Sequence, residues 1–130
     1  MINEITTYLQ EHKSSVTLKP MPHSIIYLIT SNKMIKYSIS ISFLDKFTIF
    51  NTILFKGYTL EKNIQKAEDY LTMQNLNNID IQIDDDGDMT IYSDIVIKSF
   101  SDFIRYDKLY EKCIENITDA DSGFFPVNWN

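Results

Sequence analysis

IKYSISISF occupies residues 35–43, and its alternation decides the fold class. Ile35, Tyr37, Ile39, Ile41 and Phe43 take every second position, with Lys36, Ser38, Ser40 and Ser42 between them. Successive side chains of a strand point to opposite faces, so the pattern predicts a β-strand with one core face and one wet or lightly covered face.

Upstream, SIIYLIT at Ser24–Thr30 is short, apolar and β-branched, as expected of a strand packed on both faces. Ser31-Asn32-Lys33 reads as the intervening turn. Val16 and Leu18 alternate with polar neighbours as far as Pro20 and Pro22, which lack an N–H and so favour a turn or a sheet edge. Ile2, Ile5 and Leu9 recur at near-helical spacing, predicting a short amphipathic helix over residues 2–12.

Downstream, Asp45-Lys46 reads as a turn and Phe47–Phe55 as another mostly buried strand. Gly57 breaks that run. Thr59 can cap a second helix through its hydroxyl, and Leu60, Ile64, Ala67 and Leu71 form its apolar stripe. Asn75, Asn77 and Asn78 end it. A hairpin follows: Ile79, Ile81 and Ile83, an Asp86-Gly87 turn, then Met89, Ile91, Ile95 and Ile97. Ser99 caps a third helix, with Asp102 at its third position complementing the helix dipole. Phe103, Tyr106, Tyr110, Cys113 and Ile117 run down one face of that helix, widened by Ile104, Leu109 and Ile114. The closing SGFFPVNWN has no regular period.

These segments predict one α+β domain over residues 1–130, an antiparallel sheet with three helices in the order α-β-β-β(-β)-α-β-β-α. The expected parts are a helix over 1–13, strands over 15–55, a helix over 59–74, a hairpin over 78–98, a helix over 99–118 and an aromatic tail over 119–130. The 130 residues suit a single core. The formal net charge is −6, with 12 basic residues against 18 carboxylates, which argues against binding nucleic acid or an anionic membrane. A basic protein partner fits that sign better. The longest apolar run, Ile25–Ile29, is too short to span a bilayer, so no membrane association is expected. One cysteine, Cys113, and an N-terminus unlike a signal peptide lead to the expectation of a cytoplasmic protein.

The residues offer little for catalysis, so no catalytic residue, metal site or cofactor is expected. His12 and His23 pair with no nucleophile or metal ligand by spacing. Cys113 falls on an apolar helix face, where a thiol behaves as a small hydrophobe. Glu111 with Glu115, or Asp80 with Asp94, are the carboxylate pairs that acid–base work would need. Asp84, Asp85, Asp86 and Asp88 surround Gly87, but an EF-hand would need an acid at Gln82 and a glutamate at Ser93. The acidic tip therefore reads as a solvated turn and a candidate partner-binding surface. Phe124, Phe125 and Trp129 are a second candidate, either folding back on the core or anchoring a partner. Periodicity leaves open whether the Ser38, Ser40 and Ser42 face meets solvent, a partner or a helix.

The stretch AEDYLTMQNLNNIDIQIDDDGDMTIYSDI carries a helix, a strand, an Asp-Gly turn and a second strand, followed by the Ser99-capped helix. In this order of elements the chain resembles the YbjN family and the type III secretion chaperones, most specifically over residues 67–117. The candidate strands before the middle helix number four here, where that fold usually has three. The resemblance implies a non-catalytic module that binds and escorts or regulates another polypeptide, with a homodimer as a recurrent arrangement. The alternatives are an immunity protein that neutralises a bacterial toxin, such as a basic nuclease, through an acidic surface, and an enzyme that uses carboxylates alone.

Overall fold

The computed structural model describes residues 1–43, 47–53, 61–74, 76, 79–83, 85, 89–93 and 95–118. Its elements run α1 (Ile2–His12), β1 (Ser15–Pro20), β2 (Ser24–Thr30), β3 (Lys36–Ser42), β4 (Thr48–Ile53), α2 (Glu61–Met73), β5 (Ile79–Ile83), β6 (Met89–Ser93) and α3 (Phe100–Thr118). The architecture is α+β, as the periodicity predicts. Six strands form one sheet in the order β1-β2-β3-β4-β6-β5, every neighbour antiparallel. All four segments ahead of α2 are separate strands.

The sheet is covered by helices on one face. Tyr27, Ile29, Tyr37, Ile39, Ile41, Ile49, Met89 and Ile91 are buried on that side, against Ile5 and Leu9 of α1, Ala67 and Leu71 of α2, and Phe103, Tyr110, Cys113 and Ile114 of α3. Thr6 on α1 shares a 2.7 Å hydrogen bond with the Tyr27 hydroxyl, which ties the first helix to β2, beside the edge strand β1. The other face carries two rows that cross the sheet in register. One places Lys19, Ile26, Ser40, Phe50, Tyr92 and Asp80 side by side; the next places Thr17, Leu28, Ser38, Thr52, Thr90 and Gln82. No described helix lies over these rows: Ile26, Leu28, Ser38, Ser40 and Thr90 are half-buried and Tyr92 is exposed. The serine face of β3 therefore lies on the uncovered side among the described elements.

Several local expectations need correction. Ser24–Thr30 is packed closely on one face only, because the helices share one side; Ile25, Tyr27 and Ile29 are buried while Ser24, Ile26 and Leu28 are half-buried. Phe43 does not continue the core face of β3. The strand ends at Ser42, and Phe43 is exposed beside Phe47, with ring centroids 6.3 Å apart. Ile83, at the end of an edge strand, is also exposed. Ile95 and Ile97 lie beyond the end of β6; Ile97 still reaches the core from irregular backbone, where its N–H donates to the Phe47 carbonyl at 3.1 Å.

Other readings hold. Pro20 closes the edge strand β1, where a missing N–H costs the sheet little. The Ser99 hydroxyl accepts the Asp102 N–H at 3.2 Å, and the Asp102 carboxylate accepts the Lys98 N–H at 3.0 Å. The β2–β3 turn is pinned by Ser31, whose backbone N–H donates to the Ile35 carbonyl and whose hydroxyl accepts the Ile35 N–H. That closure places Met34 at φ 65°, a left-handed conformation that a side chain with a Cβ adopts at a cost. The Asp45-Lys46 turn, Gly57, the Thr59 cap, Leu60, the Asn75, Asn77 and Asn78 stop, the Asp86-Gly87 turn, the side chain of Ile117 and the 119–130 tail lie outside the described residues.

Candidate functional site

The main concentration of buried charge lies where the end of α1 meets the middle of α3. The last helical hydrogen bond of α1 runs from the Lys13 N–H to the Leu9 carbonyl at 3.0 Å, after which Lys13 is extended. The turn out of the helix brings the Lys13 side chain beneath α3. Its ammonium donates to the Asp107 carboxylate at 3.0 Å and also contacts the carboxylate of Glu111. The Lys13 and Asp107 side chains are only 3% and 1% exposed, so this ion pair is shielded from water, whereas Glu111 at 29% reaches the rim.

Tyr8 stands over the pair and donates its hydroxyl to Asp107 at 3.3 Å. The His12 ring, held by a 2.8 Å contact of Nδ1 with the Tyr8 carbonyl, stacks on Tyr8 at 4.3 Å between centroids. A cleft of about 310 Å³ opens over this group, lined by Tyr8, His12, Lys13, Asp107, Glu111 and Glu115 among others. Lys33 reaches Glu115 at its edge, 3.3 Å away.

Burial dominates the protonation chemistry. It raises the Asp107 pKa above the ordinary carboxyl value; the Lys13 ammonium pulls it down and Glu111 pushes it up. Tyr8 is pushed up to about 12, first by burial and then by the negative charge of Asp107. Tyr37, from β3, is raised by burial and by the same carboxylates. The Tyr37 hydroxyl and Asp107 Oδ1 are buried with no hydrogen-bond partner among the described residues. Buried polar atoms of this kind ordinarily bind internal water.

Two carboxylates thus converge in a concave site, the arrangement that a carboxylate enzyme would need, but both are directed at the same ammonium. In a low-dielectric setting such a cluster locks one helix to another, because removing either charge strands its partner. A second groove of about 470 Å³ backs onto the same wall, sharing Tyr8 and His12 and running to Phe100 at the start of α3.

The residues singled out by sequence are not gathered here. Asp85 is exposed in the β5–β6 turn, while Asp84, Asp86, Asp88, Phe124, Phe125 and Trp129 lie outside the described residues. Asp80 is exposed on β5 and accepts a hydrogen bond from Gln82 at 2.6 Å; Asp94 lies outside the described residues. Of the paired acids, Glu111 and Glu115 do line the cleft. His23 is exposed in the β1–β2 turn and does not line the cleft, and Cys113 is buried with its thiol pushed up to about 12 by desolvation. Among the described residues no group of three His, Cys, Asp or Glu could hold a metal ion, and no helix is long and apolar enough to cross a membrane.

Sequence reasoning missed Lys13 and Asp107. A signal for Asp107 was present: Phe103, Asp107, Tyr110 and Ile114 are spaced four, three and four, so a carboxylate occupies a core position of α3. No family model matches the chain, and no curated protein or solved structure matches it.

Proposed function

We propose that this chain is a non-catalytic module that binds and escorts or regulates a partner polypeptide, and that the sheet face left open by the described helices is its docking surface. The observation that carries the reading is that face itself. Six strands present two rows of mainly hydroxyl and apolar positions, ending in Lys19, Asp80 and Gln82 at the edges, with no described helix across them. Antiparallel sheets commonly leave one face to water and make it polar; a face with Ile26 and Leu28 among serines and threonines suits a partner. The resemblance to the YbjN family and the secretion chaperones points the same way. The buried charges add support, since Asp107 and Glu111 are engaged with Lys13 and are poorly placed to act as an acid–base pair.

The test uses the tagged chain and a Ser38→Arg/Ser40→Arg variant, each recovered from the native host and the eluates compared by mass spectrometry. A polypeptide that accompanies the parent chain and is lost from a variant with an unchanged circular dichroism spectrum is the expected result. Identical eluates overturn the docking face. A second reading, an immunity protein against a basic toxin, is favoured by the net charge of −6 and the exposed Asp85. Replacing Asp84, Asp85, Asp86 and Asp88 by Asn should then slow association with such a toxin strongly at low salt, and an unchanged rate rejects it.

A further inference from the structure

The groove on the outer side of α1 has a chemistry of its own. Glu4, Thr7, Tyr8, Glu11 and His12 follow one another at steps of three, one, three and one, and so lie on one face of the helix. Phe100 closes the far side from the first turn of α3. The Tyr8 ring meets Phe100 edge-on at 5.9 Å and 80°, and stacks with His12 at 4.3 Å. The lining therefore combines three π systems with two carboxylates and, among the described residues, contains no lysine or arginine. The amine of Met1 is 3.8 Å from Glu4, whose side chain is 61% exposed, so that loose pair is readily exchanged.

Aromatic faces flanked by carboxylates favour a cation that is planar and weakly hydrated. A guanidinium can lie against a ring and donate two parallel hydrogen bonds to a carboxylate, which an ammonium cannot do. The 470 Å³ groove has room for such a side chain, and its local charge is complementary to it. We propose that this groove seats an arginine side chain of a basic polypeptide partner. The proposal rests on the protein-binding reading above and adds the chemistry of one contact.

The experiment is a titration of the ¹⁵N-labelled chain with acetyl-arginine amide, followed by backbone amide shifts. The expected result is a saturable response centred on Thr7, Tyr8, Glu11 and Phe100, weakened about tenfold in a Glu4→Gln/Glu11→Gln variant. Both glutamates are on the exposed side of α1, so the variant should keep its fold, and its spectrum reports this directly. An equal response to acetyl-citrulline amide, which is isosteric and neutral, overturns the proposal; so does an affinity unmoved by the double substitution. The two readings fail separately. A partner lost only from the sheet-face variant, with no arginine response, removes the arginine contact alone. An arginine response with no partner dependent on the sheet face removes the docking face.

Discussion

Replacing Lys13 by Met tests whether the buried ion pair holds α1 to α3. At a separation of 3.0 Å and an effective dielectric near 20, the attraction between the Lys13 ammonium and the Asp107 carboxylate is about 5–6 kcal/mol. Desolvation of both groups offsets much of that. Deleting one partner nonetheless leaves the other charged and dry, and the cost is about 3–5 kcal/mol. A domain of this size has roughly 5–15 kcal/mol in total, so the variant should lose a large part of its stability near neutral pH. Urea denaturation followed by circular dichroism measures it.

The loss should also depend on pH, in a direction fixed by Asp107. Its folded pKa is raised, so its contribution to stability is fully present below the ordinary carboxyl pKa and is lost as pH rises through the raised value. A protonated Asp107 needs no cation. The penalty for Lys13→Met should therefore shrink under acidic conditions, and a Lys13→Met/Asp107→Leu double variant should recover most of it at neutral pH. A Lys13→Met loss under about 1 kcal/mol, or one that is equal at acidic and neutral pH, would refute the reasoning.

Two further outcomes are expected. Cys113 is fully buried with its thiol pushed up to about 12, so Ellman's reagent should label the native chain at least ~100-fold more slowly than the chain in denaturant; rapid native labelling would contradict the packing of α3. Ser99→Ala removes the acceptor for the Asp102 N–H and should cost about 1 kcal/mol, read as a melting temperature lower by about 3–5 °C; no change would show that the Asp102–Lys98 contact caps α3 alone.

The legible parts of the fold are those set by short-range physics. The β3 alternation, the α3 stripe and the Ser99 cap each involve residues a few positions apart, where backbone geometry fixes which side chains share a face. What sequence could not settle was which sheet face the helices choose, and that choice explains the half-buried Ile26 and Leu28 of β2. The cleft was harder still. Lys13 and Glu111 are 98 residues apart, and only the tertiary fold brings them together. Asp107 could have been noticed as a charge at a core position of α3, but its partner follows α1 with no periodic mark of its own.

That long separation also makes the α1–α3 contact a non-local one. Residues 15–53 can register β1 to β4 through successive antiparallel neighbours, each close in sequence to the last. Lys13 has no counter-ion until α3 is available, and an unpaired ammonium resists leaving water. The ion pair that fixes the first helix of the chain is thus completed only by residues nearly a hundred positions later in the sequence.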